Sequence, residues 1–304
     1  GDDLNVCGPR RLVKRNDLAK ELALVQGIVE RKSSIPILQN VLCEARSSGT
    51  IRISATDLDV SLRCGCTCEV VAEGSVTLAA KKLYEIVRSL PENDVRLKLE
   101  DDAWARIRCE RVEFRVAGLP REDFPALPKP EKVPFVQVDA ASLLGLIERT
   151  AFAVSTDETR YNLNGVLFEP QGGKLRLVAT DGHRLSLAEA DSPGDFKLKK
   201  GVILPKKGLF ELKKLLAEAV EGGQEKPSAE LGFVESSAIG RRSGVTLVMR
   251  LIEGLFPDYK QVIPKAGEKV LTVGRVRLLE TLRRVSLLAS DKSHAVKLEL
   301  AKGN

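Results

Sequence analysis

The chain has 304 residues, 43% of them hydrophobic and 30% charged, which is ordinary for a globular protein with room for two or three packed domains. No stretch approaches the roughly 18 consecutive apolar residues of a membrane span, and the opening GDDLNVCGPRRLVKR lacks the apolar core of a secretory signal. The expectation is therefore a cytoplasmic protein with no membrane contact. The 48 basic residues against 42 acidic give a formal charge of +6, so the placement of basic residues says more than their sum.

In chain order, the first predicted helix is DLAKELALVQGIV from Asp17, with Arg31–Lys32 after it. Strands follow in IPILQNVLCEARSSGTIRISATDLDVSL from Ile35. Next comes CGCTC, with Cys64, Cys66 and Cys68 spaced by two. Zinc sites favour two residues between paired cysteines. Here Val60, Leu62, Cys64, Cys66 and Cys68 share one parity, as on a strand with one buried face. The core reading is preferred to a metal site, and the scattered Cys7, Cys43 and Cys109 fit a reducing compartment. Lys81–Lys82 then open the predicted helix of LAAKKLYEIVRSL, and RVEFRVAG alternates as a strand. A proline-broken linker, PKPEKVP, spans Pro128–Pro134.

Beyond it the chain repeats itself. A helix in ASLLGLIERTAFAV from Ala141 matches the first one. RYNLNGVLFEPQGGKLRLVATDGHRLSL from Arg160 matches the run from Ile35, and Asp181 follows Asp57 by 124 positions. LPKKGLFELKKLL repeats LAAKKLYEIVRSL, with Lys206 125 positions after Lys81. Leu209, Leu212, Leu215 and Leu216 recur there at helical spacing, with Lys206, Lys213 and Lys214 off the stripe. GLFPDYKQVIP answers GLPREDFPALP at an offset of 132, which places an insertion near EGGQEKPSAE. Three anchors at nearly one offset indicate internal duplication. After a second linker, PKAGEK from Pro264, VGRVRLLETLRRVSLLASDKSHAVKLEL opens like a third unit, as helix then strand, with Arg283–Arg284 in the helix. By the period this unit is expected to continue past Asn304. Without a steady β-α-β rhythm, the fold class is α+β with antiparallel sheets: two similar helix/antiparallel-sheet domains in tandem plus the start of a third. The expected boundaries are 1–130, 131–264 and 265–304.

The chemistry is read mostly from what is missing. No P-loop, dinucleotide fingerprint or nucleophile elbow occurs, and His183 and His294 are the only histidines. VATDGHRLSLAE, residues 178–189, gathers Asp181, His183 and Arg184. Three readings stand open for it: catalysis, a turn with a binding role, and a plain turn. The first copy reads ATDLDVSL, keeping Asp57 but putting Asp59 where His183 stands. An aspartate kept with or without the histidine points to a turn bonded to backbone amides, with Gly182 supplying conformational freedom.

KKLYEIVRSLP, FRVAGLPREDFPALP, DETRYNLNGVLFE, VATDGHRLSLAE and GLFPDYKQVIPK, in this order, resemble the bacterial DNA polymerase III β subunits, the sliding clamps. The resemblance runs from about Asp17 to Asn304 and implies a DNA clamp fold. It further implies a homodimeric ring around duplex DNA, without sequence preference, that acts as a processivity factor and not as an enzyme. No cofactor and no metal are implied. DNA contacts carried over are Lys32, Lys81, Lys206, Lys207, Asp157 and Tyr161, with Asn162 where relatives often have a second tyrosine. A pocket for short linear peptides maps to Leu163, Thr180, Gly182, His183, Arg184, Leu185, Pro257 and Val262. Gln261 stands where some relatives carry arginine, and the family's C-terminal tail would complete the pocket. The implied users of the pocket are the DNA polymerase III catalytic subunit, the clamp loader, and other polymerases and repair proteins. The subunit interface maps to Phe114 and Val116 on one side and Leu287 and Leu288 on the other; the residues alone also allow plain core for all four. Two other classes remain: a phosphoesterase using TDGHR, and a non-ring nucleic-acid or peptide-binding repeat module.

Overall fold

The computed structural model describes residues 11–29, 34–128, 132–223, 225–265, 267, 270–289 and 295–300. The chain divides into two compact units, Gly1–Phe256 and Pro257–Asn304. The first holds both copies of the repeat. Copy one runs β1 (Arg11–Lys14), α1 (Arg15–Val25), β2 (Asn40–Arg46), β3 (Thr50–Thr56), β4 (Val60–Thr67), β5 (Glu69–Val70), β6 (Gly74–Ala79), α2 (Ala80–Ser89), β7 (Asp94–Leu99), β8 (Trp104–Cys109) and β9 (Val112–Ala117). Copy two runs β10 (Phe135–Asp139), α3 (Ala140–Thr150), β11 (Gly165–Gln171), β12 (Lys174–Thr180), β13 (Leu185–Asp191), β14 (Val202–Pro205), α4 (Lys206–Glu221), β15 (Ser228–Val234), β16 (Ser237–Arg242) and β17 (Val245–Arg250). Apart from the two-residue β5, the order is the same.

The sheets carry the duplication too. The order β1-β7-β8-β9 returns as β10-β15-β16-β17, and β6-β2-β3-β4 returns as β14-β11-β12-β13. Even the isolated bridges correspond, Thr77 to Leu119 in one copy and Ile203 to Ile252 in the other. The copies are joined by an antiparallel ladder between β17 and β4, with Thr246 opposite Arg63, Leu247 opposite Leu62, Val248 opposite Ser61 and Met249 opposite Val60. That ladder fuses half of each copy into one eight-stranded sheet. It also leaves β9 and β13, the counterparts of the joined strands, each at the edge of its own sheet among the described residues.

Helices pack in pairs, α1 with α2 and α3 with α4, and bury their apolar stripes on the sheets. In α2 these are Ala80, Leu83, Ile86 and Val87; in α4 they are Leu209, Leu212, Leu215, Leu216 and Ala219. Gly208 lets α4 approach β17, since a Cβ there would stand 2.7 Å from Met249 Cβ. In copy two, Phe168 meets Phe196 and Phe233 with ring centroids 5.0 Å apart, edge-on to the first.

Two of the three cysteines, Cys64 and Cys66, lie on β4 as expected, and Cys68 falls in the one-residue gap before β5. Cys64 is buried on β4, and Cys66 and Cys68 are partly buried against the same core. Cys64 Sγ donates to Glu21 O at 3.6 Å and Ile53 O at 3.8 Å. Burial raises the Cys64 thiol strongly and pushes Cys66 up to about 12, so both stay protonated.

A polar clamp reinforces the joint. Lys207 Nζ, in the first turn of α4, forms an ion pair with Asp57 Oδ2 and donates to Ile28 O at 2.8 Å. The Asp57 side chain is only 7% exposed, so its charge is largely removed from water and depends on this partner.

In the second unit, a 3-10 turn (Tyr259–Gln261) precedes α5 (Arg275–Ser286), in which no residue is buried. Leu287 is 82% and Leu288 94% exposed among the described residues. Residues 295–300, expected to start a strand, are in no ladder. A strand needs a neighbour to satisfy its backbone groups, and none pairs with it among the described residues. His294 lies outside the described residues.

Asp57→Ala removes two turn hydrogen bonds and leaves Lys207 without its carboxylate. We expect a loss of about 2–4 kcal/mol in chemical denaturation; a change under about 0.5 kcal/mol would mean that the clamp does not hold the joint.

Candidate nucleic-acid and partner-binding surfaces

The turn between β12 and β13 is built by its own side chains. Asp181 Oδ1 accepts from the amides of His183 at 2.9 Å and Arg184 at 3.0 Å, and Oδ2 accepts from Arg184 Nε at 3.0 Å. Thr180 Oγ1 donates to Arg184 O at 2.7 Å and accepts from Gly182 N at 3.1 Å. Gly182 takes φ +88°, a left-handed conformation natural to glycine. Copy one makes the same turn: Asp57 Oδ1 accepts from Asp59 N at 3.0 Å and Val60 N at 2.6 Å, with Leu58 at φ 82° in the glycine's place. The aspartates are thus turn-formers, as the repeat implied. The amides of Arg184 and His183 pull the Asp181 carboxyl down to about 2. That carboxylate is held by the His183 and Arg184 backbone amides, a structural task.

What the turn presents is a surface. His183 and Arg184 are exposed, and Leu185 is half-buried. Arg184 Nη2 donates to Phe152 O at 2.8 Å, and its guanidinium lies 5.5 Å from the Phe152 ring centroid. Phe152 is 59% exposed, an apolar side chain that sequence reasoning missed; the only signal was a phenylalanine in AFAV just past a helix.

The segment 157–163 lies beside this turn. Asp157 caps it, accepting on Oδ1 from Thr159 N at 3.0 Å and Thr159 Oγ1 at 2.6 Å, and on Oδ2 from Arg160 Nε at 3.0 Å. These bonds lower the Asp157 carboxyl from its usual range. Arg160 reaches over the turn, its Nη1 2.7 Å from where a Cβ on Gly182 would stand. Tyr161 is 60% exposed and packs on Gly254, whereas Asn162 Nδ2 donates to Leu255 O at 2.9 Å. Leu163 is buried. Of the carried-over pocket residues, Leu163, Thr180, Gly182, His183, Arg184 and Leu185 belong to this one corner. Pro257 and Val262 belong to the second unit, where Val262 is 68% exposed.

The carried-over cations fare differently. The Lys81 side chain is 84% exposed, with Glu85 at 3.9 Å. Lys206 is half-buried at the start of α4. Lys207 is held by Asp57, so its first task is structural. Further along α4, Lys213 pairs with Glu148 at 3.0 Å and Lys214 with Glu211 at 2.7 Å. Lys32 lies outside the described residues. Phe114 and Val116 sit on edge strand β9, half-buried against the core, with the backbone edge beside them open among the described residues.

Residues 11–128 match the family model of the DNA polymerase III beta subunit N-terminal domain, and residues 137–258 match that of its central domain. The beta sliding clamp of Caulobacter vibrioides is 38% identical over 297 residues, 96% of this chain and 78% of the relative. That of Pseudomonas aeruginosa is 35% identical over 296 residues, with the same shares. Among solved structures, the Pseudomonas aeruginosa sliding clamp bound to griselimycin superposes with a TM-score of 0.87 at 32% identity, covering 98% of this chain and 79% of that one. The Bacillus subtilis clamp gives 0.86 at 28%, covering 94% of this chain and 75% of that one.

Because its carboxyl is depressed in the folded state, Asp181 adds stability above the unfolded value of about 3.9, and that stability disappears as pH falls towards 2. Asp181→Asn should cost about 1 kcal/mol at neutral pH, and the gap to wild type should close between about pH 4 and pH 2. Denaturation across that range tests it; a gap that is constant or widens on acidification would contradict the assignment.

Proposed function

The chain belongs to the DNA polymerase III beta-subunit family, and from that premise we propose that it is a DNA polymerase processivity factor, a ring-shaped homodimer that slides on duplex DNA and tethers the replicative polymerase. The β17–β4 ladder carries this reading. Its strands have counterparts in β9 and β13, each at a sheet edge. A joint with both its halves repeated at open edges can be propagated: β13 can take a further repeat, and β9 can take the end of a second subunit. Repetition of one joint closes a ring when its rotation divides a full turn without a rise along the axis.

In this reading the domains are 1–130, 131–264 and 265–304. Phe114 and Val116 back the β9 edge at the subunit interface, with Leu287 and Leu288 facing it from the partner. Lys32, Lys81 and Lys206 meet phosphate, Lys207 does so only insofar as Asp57 leaves it charge to share, and Asp157 and Tyr161 border the path of the DNA. Such contacts carry no base information and let the ring slide. Retention comes from topology, so a net charge of only +6 is sufficient.

The first-unit corner formed by Leu163, Thr180, Gly182, His183, Arg184 and Leu185 takes the linear peptides of the polymerase III catalytic subunit, the clamp loader, and other polymerases and repair proteins; the family resemblance assigns Pro257 and Val262 to the same task. Its mix of apolar wall and few polar edges suits a peptide's hydrophobic anchors, and Phe152 widens the apolar part. The work is cytoplasmic and non-catalytic, and Asp181 bonds to the backbone amides of the turn.

Two measurements test this. The double variant Lys81→Glu, Lys206→Glu should weaken duplex binding about tenfold at low salt and flatten the salt dependence by roughly two counterions, equally for all sequences; an unchanged slope would remove these lysines from the DNA path. Leu185→Asp should abolish capture of a short synthetic peptide that ends in acidic and hydrophobic residues, and leave duplex binding intact. Undiminished peptide binding would move the pocket elsewhere.

A further inference from the structure

The two copies differ on the sheet face turned away from their helices. In copy two, Arg176 on β12 lies between Glu169 and Glu189, opposite each in the ladder, and ion-pairs with both. One arginine meets two carboxylates, and the face is balanced. In copy one, the equivalent Arg52 on β3 lies opposite Glu44 and Gly65. The second acid has become a glycine. Two arginines have been added, Arg46 in place of Gln171 and Arg63 in place of Leu187, and Arg121 reaches in from the segment after β9.

These arginines line a cleft of about 450 Å³ roofed by the chain around Phe124. Its acids are Glu44 and Glu122. Glu44 Oε1 is shared at 3.3 Å by Arg46 and Arg121, a long contact for each. Among the described residues, Arg52 and Arg63 have no carboxylate within ion-pairing distance. Arg63 Nε is buried with no hydrogen-bond partner. Burial, followed by Arg52, lowers the proton affinity of Arg63, a sign of cations crowded together with too little anion. A guanidinium buried beside another without a counter-charge is costly, and arginine forks match phosphate oxygens two at a time.

We propose that this cleft binds a small polyphosphate anion, a pyrophosphate or the polyphosphate end of a nucleotide, through Arg46, Arg52, Arg63 and Arg121. Arg52 and Arg63 are diagonal neighbours on adjacent strands, since Ser54 is opposite Arg63 and Gly65 opposite Arg52. That spacing, about 7–8 Å, suits two linked phosphates better than one. The volume leaves room for an organic group against Phe124 and Leu127. A small anion, unlike a flat macromolecular surface, fits inside a cleft of this volume. The site lies apart from the peptide corner and does not depend on ring closure.

The test is calorimetric titration of the full chain with sodium pyrophosphate and, separately, metal-free ATP, at low ionic strength without phosphate. Saturable binding at one site per chain is expected, weakened at least about tenfold in Arg52→Gln, Arg63→Gln and unchanged in Arg176→Gln, its counterpart in copy two. Glu44→Gln, which removes the competing carboxylate, should tighten it several-fold; this arm decides the matter if the double variant melts early. No saturable heat, equal affinity in the double variant, or no tightening in Glu44→Gln would overturn the proposal. So would an oligoglutamate peptide or a single-stranded oligonucleotide that bound these arginines more tightly than pyrophosphate.

Discussion

The ladder between β4 and β17 is the constraint on which the rest depends. Backbone groups on a strand edge must find partners, and here each copy supplies one edge of the right length and sense to the other. Once the edges pair, one sheet runs through both copies. The paired helices α1–α2 and α3–α4 are then fixed on that sheet's frame, and the turns at the strand ends inherit their places. Non-directional burial stabilises each copy, but the directional ladder decides how the copies meet.

Charge is distributed with the same economy. Lys207 ties the second copy's helix to the first copy's turn, and Lys213 and Lys214 answer Glu148 and Glu211. Much of the basic surplus that a polyanion could have used is therefore engaged within the fold. The exposed Lys81 has only Glu85 at 3.9 Å, and Arg52 and Arg63 of the copy-one cleft pair with no carboxylate among the described residues. Identical sheet positions, balanced in one copy and unbalanced in the other, show that duplication preserved the frame while the surface charge diverged.

The duplication was legible because it rests on local signals: L-x-N-x-x-L-x-E, A-T-D and the paired lysines recur at nearly constant offset. Asp57 and Asp181 were legible as turn residues because the turn bonds chiefly to its own amides. The period-two cysteines announced a strand face. Other features were not readable, since they depend on contacts far apart in sequence. Lys207 looks identical to Lys206 in the sequence, yet only Lys207 meets Asp57, 150 residues away. Phe152 meets Arg184, 32 positions on, a contact that no local pattern signals. Leu287 and Leu288 read equally well as core or interface in the sequence, because both roles ask for the same apolar side chain. The cleft arginines showed no pattern, because they lie on three strands and a loop.

Loss from DNA is the most direct test of a clamp, because topology and affinity predict different outcomes. The protein would be loaded on a nicked circular plasmid, freed of unbound protein, and its retention compared before and after one restriction cut at moderate salt. The account predicts retention for many minutes on the circle and loss at once on the linear form, since a ring slides off an open end whatever its weak local grip. Equal lifetimes on both would mean that the protein holds DNA by affinity alone, and the ring would not describe how it works.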